Sequence, residues 1–229
     1  MPFMIPRIDP DIATLAPGFR ALSILVEAAP VTNPHVGAEA LVRACGTEPA
    51  PWAQAHLAAW GEVFKRFGAK PQRTPCSAEA LRKRVLRDGI MPSIDPVVDL
   101  YNAVSIEYAI PVGGENLTAY EGSPRLVIAD GSELFDTIKE GAPAHEAPEP
   151  GEVVWRDDRG VTCRSWNWRQ GIRTRLSVEC TQMWFILESL PSMPLAALHE
   201  AGDRLVAGLL QMMPEARIET TLIGASDWA

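Results

Sequence analysis

No stretch of the 229-residue chain approaches the ~18 consecutive apolar residues that cross a bilayer. The opening segment, MPFMIPRIDPDIA, lacks the basic start and apolar core of a secretory signal. These absences give the expectation of a soluble, cytoplasmic protein without a membrane partner. Cysteine is sparse. Cys45, Cys76, Cys163 and Cys180 lie too far apart for a Cys-x-x-Cys metal knuckle and are too few for a disulfide framework. His35, His56, His145 and His199 are scattered and form no HExxH pattern. Metal ligation and a resident cofactor are therefore not expected. No internal repeat and no clear domain linker is visible.

Basic residues are also in deficit. The net charge of −8 argues against general affinity for nucleic acid, DNA included. The distribution points the other way, because 14 of the 21 basic residues fall in two windows, Lys65 to Arg87 and Arg156 to Arg175. Local concentration of this kind makes either a phosphate-binding surface or ordinary solvated helix faces.

What is abundant is apolar residue, at 47%, enough for a sizeable core. Residues 1–18 are Pro- and Asp-rich and read as irregular, leaving 19–229 as one domain. Phe19 to Ala28 reads as a buried strand. Helices are expected over 36–45 and 52–67, the second with Trp52, Ala55, Ala59, Val63 and Phe67 on its buried stripe. A third, 78–87, has Ser77 as its cap and a basic side of Arg82, Lys83, Arg84 and Arg87. Strands are expected at 125–129 and 181–190, the latter central. Residues 140–151 read as a loop, 194–213 as an amphipathic helix and 217–223 as an edge strand. The pattern is α+β: a single domain with a central mixed or antiparallel sheet flanked by helices.

Two stretches carry candidate chemistry. Asp95-Pro96 starts a helix that Pro111 ends. Its polar edge, Asp99 and Asn102, leads into Val112-Gly113-Gly114-Glu115-Asn116, read as a turn whose glycines allow close backbone approach. This is either one wall of a pocket or an amphipathic helix with a tight exit. The segment Glu152 to Trp168 reads as a hairpin whose return strand places Arg164, Trp166 and Trp168 on one face and Cys163, Ser165, Asn167 and Arg169 on the other. The tryptophan face is a stacking platform for a base, or core.

In order and spacing, Thr74 to Leu81, Ile94 to Asn102, the Ile110 to Gly114 turn and Cys163 to Arg169 resemble the free-standing relatives of the editing domain of the phenylalanyl-tRNA synthetase beta subunit. In the synthetase that domain is the paired third and fourth B modules. The resemblance covers roughly 20–225. It implies a pocket for the aminoacylated 3′ end of a tRNA and hydrolysis of a mischarged ester, a task that arises where binding alone separates near-isosteric side chains poorly. Two family positions differ: Gly113 stands near the family's histidine, and Gln170 to Thr174, where the family carries its editing glutamate, has no acid.

Under the resemblance, the backbone amides of Gly113 and Gly114 face the ester, and Asn102 and Asn167 hold the amino acid or the water. Asp99 or Glu115 takes the α-ammonium or serves as a weak base. Tyr101 borders the substrate, Arg164, Arg169 and Arg173 meet phosphates, and Trp166 or Trp168 stacks on the adenine. Arg82, Lys83 and Arg84 track the tRNA backbone. Cys163 is the one candidate for a covalent nucleophile, since no Ser-His-Asp set is visible. Two alternatives stand beside trans-editing: a non-catalytic tRNA or amino-acid binding module, and a small-molecule enzyme that reuses the pocket.

Overall fold

Met183 to Leu187 is an unbroken apolar run because both faces of its strand, Gln182 to Ser189, are covered. The computed structural model, which describes residues 6–224, places this strand inside a four-stranded antiparallel sheet. In chain order the first half runs β1 (Arg7–Ile8), α1 (Asp11–Leu15), β2 (Arg20–Glu27), α2 (His35–Cys45), α3 (Ala53–Arg66), α4 (Ser77–Asp88), α5 (Pro96–Tyr108) and β3 (Val112–Asn116). The second half runs β4 (Arg125–Ile128), β5 (Phe135–Lys139), β6 (Ala142–Glu146), β7 (Val153–Arg156), β8 (Val161–Arg164), β9 (Arg169–Gln170), β10 (Gln182–Ser189), α6 (Leu195–Met212) and β11 (Arg217–Ile223). The α+β architecture is as expected, with its strands divided between two sheets.

The smaller sheet has the order β11-β2-β10-β3. The period of two along β2 and β10 separates two cores. Leu22, Ile24, Val26, Met183, Phe185 and Leu187 pack against α2, α5 and α6. Ala21, Trp184 and Ile186 turn the other way, toward Trp60 and Phe64 of α3 and toward Leu126, Val153 and Trp155 of the larger sheet. That sheet is mixed, in the order β1-β4-β7-β8-β5-β6, with β9 pairing β8. The second core, between the two sheets, is where the pocket opens.

Several local expectations are corrected. Residues 112–116 form no turn: β3 pairs with β10 from Val112↔Leu187 to Asn116↔Met183. Glycine is needed at 114 because a Cβ there would lie 2.9 Å from both Leu176 and Tyr101. Residues 140–151 are not simply a loop, because β5 and β6 form a hairpin. Its two-residue turn, Glu140-Gly141, has φ of 53° and 81°, the left-handed pair that a type I′ turn requires. The buried face of α3 is Ala53, His56, Trp60, Val63 and Phe64, rotated from the expected stripe, since His56 bonds the Ala109 carbonyl and accepts from Leu190 N. The irregular N-terminal segment contains β1, paired in parallel with β4, and α1, which buries Ile12. Its first five residues lie outside the described residues.

Candidate functional site

A cavity of about 270 Å³ opens between the smaller sheet and the β7–β9 part of the larger one. Its floor is one face of β3 and β10: Gly113 and Glu115 beside Trp184, Ile186 and Glu188. Trp155, Cys163 and Gln170 come from the larger sheet, and Trp166, Asn167 and Trp168 from the turn between β8 and β9. The start of α4 supplies Ser77, Ala80 and Leu81, and α5 supplies Tyr101 and Asn102. Asp95 fixes the entry of α5 by accepting from Val97 N and Val98 N. Ala109, at φ 50°, ends the helix in a left-handed cap and hands the chain to β3.

Glu188 is a buried acid held by three donors. Its Oε1 accepts from the indole nitrogens of Trp155 and Trp166, each at 2.9 Å, and its Oε2 from Asn167 Nδ2 at 2.9 Å. Asn167 Oδ1 in turn accepts from Ser77 N at the start of α4. Burial pushes the Glu188 carboxyl up to about 7, against the pull of these three donors. The cradle depends on a correction to the hairpin. The return strand stops at Arg164, and Ser165 and Trp166 take φ of 44° and 64°. A continued strand would send Trp166 and Asn167 to opposite faces. The two left-handed residues bring both donors to the same carboxylate, at a backbone cost on the order of 1–3 kcal/mol each.

Glu115 is the opposite case. It is only 4% exposed, and its Oε2 has no hydrogen-bond partner. Burial raises its carboxyl to about 8, against the pull of the neighbouring Thr174 and Gln170 side chains and the Arg173 charge. Gln170 Nε2 donates to the Gly114 carbonyl at 2.8 Å and braces the outer edge of β3. The Cys163 thiol is held well above its ordinary value, by burial first and then by the Glu115 and Glu188 charges. Part of Cys163 is accessible, on the cavity side, but a thiol so shifted is not a thiolate at neutral pH.

Of the residues singled out in the sequence, Asn102, Gly113, Gly114, Asn167, Tyr101, Glu115, Cys163, Trp166 and Trp168 meet at this cavity. The others do not. Asp99 is fully buried and bonds Ser93 Oγ and Ile94 N, so it closes the loop before α5. Asn116 N reaches Thr174 O on the outer side of β3, so by alternation Gly114 N–H points outward and Gly113 N–H turns into the sheet toward β10. The Gly113 amide is therefore no oxyanion donor. Trp166 is wholly buried, edge-on to Phe19 and Trp60, and offers no stacking face; Trp168 is half-buried at the cavity.

The arginines are engaged by acids distant in sequence. Arg164 pairs with Glu152 and Glu146, Arg169 with Glu146, and Arg173 with Asp157. On α4, Arg82 bonds the Ile106 carbonyl, while Lys83 and Arg84 pair with Glu79 and Asp88. Sequence reading missed Glu188, Trp155, Trp184, Gln170 and Ser77. One signal was present: Glu188 is the lone acid in the apolar run TQMWFILESL. Among the described residues no cluster of His, Cys, Asp and Glu could hold a metal ion, and no helix is long and apolar enough to cross a membrane.

Comparison with known proteins points to one family and to one fold. Residues 59–200 match the model of the B3/4 domain family. In structure the chain is similar to an N-terminal fragment of the phenylalanyl-tRNA synthetase beta subunit from Pyrococcus horikoshii, with a TM-score of 0.51 at 7% identity, covering 96% of this chain and 53% of that one. The chain thus spans about half the length of the fragment, and at this identity the likeness is one of fold. A search of curated proteins by sequence finds no match.

Proposed function

The chain belongs to the B3/4 domain family, and we propose that it acts in trans on tRNA, holding the aminoacylated 3′ end in the cavity beside α4 and α5 and hydrolysing a mischarged ester. The observation that carries this reading is Glu188. A buried carboxyl raised to about 7 is poised to accept a proton near neutral pH, and its three donors leave lone-pair capacity for a water. The ester carbonyl lies at the start of α4, where Ser77 Oγ has no partner and the helix has no side-chain hydrogen-bond cap. The positive end of that helix favours the developing oxyanion. Water adds to the carbonyl as Glu188 takes its proton. Collapse of the adduct breaks the ester C–O bond and returns the proton to the ribose oxygen, releasing amino acid and tRNA. Asn102 orients the α-ammonium or the water, and Trp168 stacks on the terminal adenine. No covalent step is assigned to Cys163.

The test is single-turnover deacylation of a panel of correctly and wrongly charged tRNAs. Release of one amino acid well above the protein-free rate supports the reading. Asn102→Ala then slows that release at least tenfold with unchanged far-UV circular dichroism. A flat panel with firm tRNA retention favours the non-catalytic binding module, a reading motivated by the lack of an acid in Gln170 to Thr174. The engagement of Arg164, Arg169 and Arg173 by carboxylates favours the small-molecule enzyme, for which tRNA is not retained at all.

A further inference from the structure

We propose that the amino-acid part of the ligand ends in a cationic amine, a lysine-length basic side chain whose ammonium is received by Glu115 Oε2 at the far end of the cavity from Glu188. The inference rests on the reading of the cavity as an aminoacyl site. Glu115 is 4% exposed, lines the cavity and has one oxygen with no hydrogen-bond partner; the neighbouring Thr174 hydroxyl, itself unpaired, is a neutral donor at hand, and Arg173 is paired with Asp157. A buried carboxylate without a counter-charge of its own is costly unless a ligand supplies the cation. The lining around it is aromatic, with Trp184 directly across the strand pair, Tyr101 on α5 and Trp168 on the turn. Carboxylate and aromatic rings together are the surroundings that favour an ammonium group.

Length selects the side chain over the α-ammonium. Glu115 stands opposite Trp184, and Glu188 is four residues further along the same strand. At about 3.3 Å per residue the two carboxylates originate about 13 Å apart. Asn167 links Glu188 to Ser77, so the ester binds at that end. An α-ammonium is only about 3 Å from its own carbonyl and cannot reach Glu115 from there. An extended lysine side chain carries its nitrogen roughly 7 Å from the ester carbon. With a hydrogen bond of about 3 Å at each end it spans the slot.

Proton linkage gives the site a second signature. Tyr101 from α5, Cys163 from β8 and Tyr120 face Glu115 and stay neutral, their own ionisation being raised, while Arg173 and Asp157 nearby form an ion pair with each other. Glu115 is thus the group at this end of the cavity that changes charge when an ammonium docks, while Glu188, raised to about 7, titrates at the ester end for charged and uncharged side chains alike. Because the Glu115 carboxyl sits at about 8, docking at neutral pH releases a proton, and affinity strengthens as pH rises toward 8, by up to tenfold per pH unit.

The experiment titrates the purified protein with lysine methyl ester and with 2-aminoheptanoic acid methyl ester, in which a methyl group replaces the ε-ammonium. Tryptophan fluorescence reports binding, since Trp155, Trp166, Trp168 and Trp184 line the cavity. The expected result is binding of the lysine ester at least tenfold tighter, strengthening between pH 6 and 8, with Glu115→Gln removing the preference. Equal affinities, preference for the aliphatic ester, or no measurable binding of either ester overturns it. The comparison uses wild-type protein, so it stands even where the variant fails to fold. Tight lysine-ester binding without hydrolysis of any charged tRNA leaves the amine site in place and removes the deacylase. Deacylation of tRNAs carrying only apolar amino acids removes the amine site and leaves the deacylase.

Discussion

At the scale of single residues, the two glutamates on the floor of the cavity are opposites in satisfaction, and this separates their mutational behaviour. Glu188 accepts from three donors, two of them indole N–H groups that have no second role as acceptors. Glu188→Gln would turn an NH₂ group toward at least one of those donors and leave a buried N–H unmatched. A loss of about 2–3 kcal/mol is expected in urea unfolding, and a change under half that size would mean the cradle relaxes without strain. Glu115 behaves differently because its burden is desolvation. Its folded carboxyl is raised from 4.5 to about 8, so the folded state holds this proton more tightly than the unfolded chain does. The associated stability is full below about 4.5 and is lost as pH rises through about 8. Glu115→Gln cannot ionise, so relative to wild type it should gain stability between pH 5 and 9, by up to several kcal/mol. Parallel stability–pH curves for the two proteins would refute this. The sequence placed Glu115 in the site but gave it no partner state, and it passed over Glu188. Neither burial nor hydrogen bonding is legible from a lone acid in an apolar run.

At the scale of elements, α5 carries Tyr101 and Asn102 into the cavity, and its position depends on how closely α2 approaches its first turn. A Cβ at Gly37 would sit 1.9 Å from the Pro96 carbonyl oxygen, a backbone atom that cannot swing away. Gly37→Ala should therefore cost about 3 kcal/mol or more. Under the proposed function it should also slow deacylation, because displacement of the start of α5 moves Asn102. Unfolding midpoints and single-turnover rates measured together check both, and a fully stable variant with wild-type rate would show that the helices slide apart freely. The helices were largely legible because local signals define them: Asp95-Pro96 at a start and Gly89 at φ 73° at an end. The strands around the site were less so. Gly113-Gly114 carries a turn composition, yet β10 and Tyr101 make it a strand. Ser165 to Trp168 carries an alternating composition, yet the demand of Glu188 for donors makes it a turn. In both places contacts between residues far apart in sequence override the local pattern.

At the scale of the whole molecule, the second basic window is matched largely by carboxylates brought from elsewhere in the chain, whereas the first is matched by acids on or next to its own helices. Arg156 meets Glu133, Arg159 meets Glu121, Arg164 meets Glu152 and Arg173 meets Asp157. Composition shows the clustering of positive charge and conceals the clustering of negative charge around it, because the acids are scattered in sequence and gathered only by the fold. This decides how a tRNA would be held by a chain of net charge −8. Tracking of many phosphates would require the arginines to leave partners such as the wholly buried Asp157. Docking of the 3′ end in the cavity leaves those pairs intact and releases few counterions. Affinity for charged tRNA should then fall only gently with salt, with a log–log slope of about −1 to −3, where a protein neutralising six or more phosphates gives a slope steeper than about −4. Reversing Lys83 and Arg84, which are exposed and whose pairing with Glu79 and Asp88 is correspondingly weak, should reduce affinity less than fivefold. Filter binding across a salt series measures both quantities. A steep slope together with a large loss in the reversed variant would show that α4 is a phosphate-tracking helix after all, and that its intramolecular ion pairs yield to the tRNA backbone.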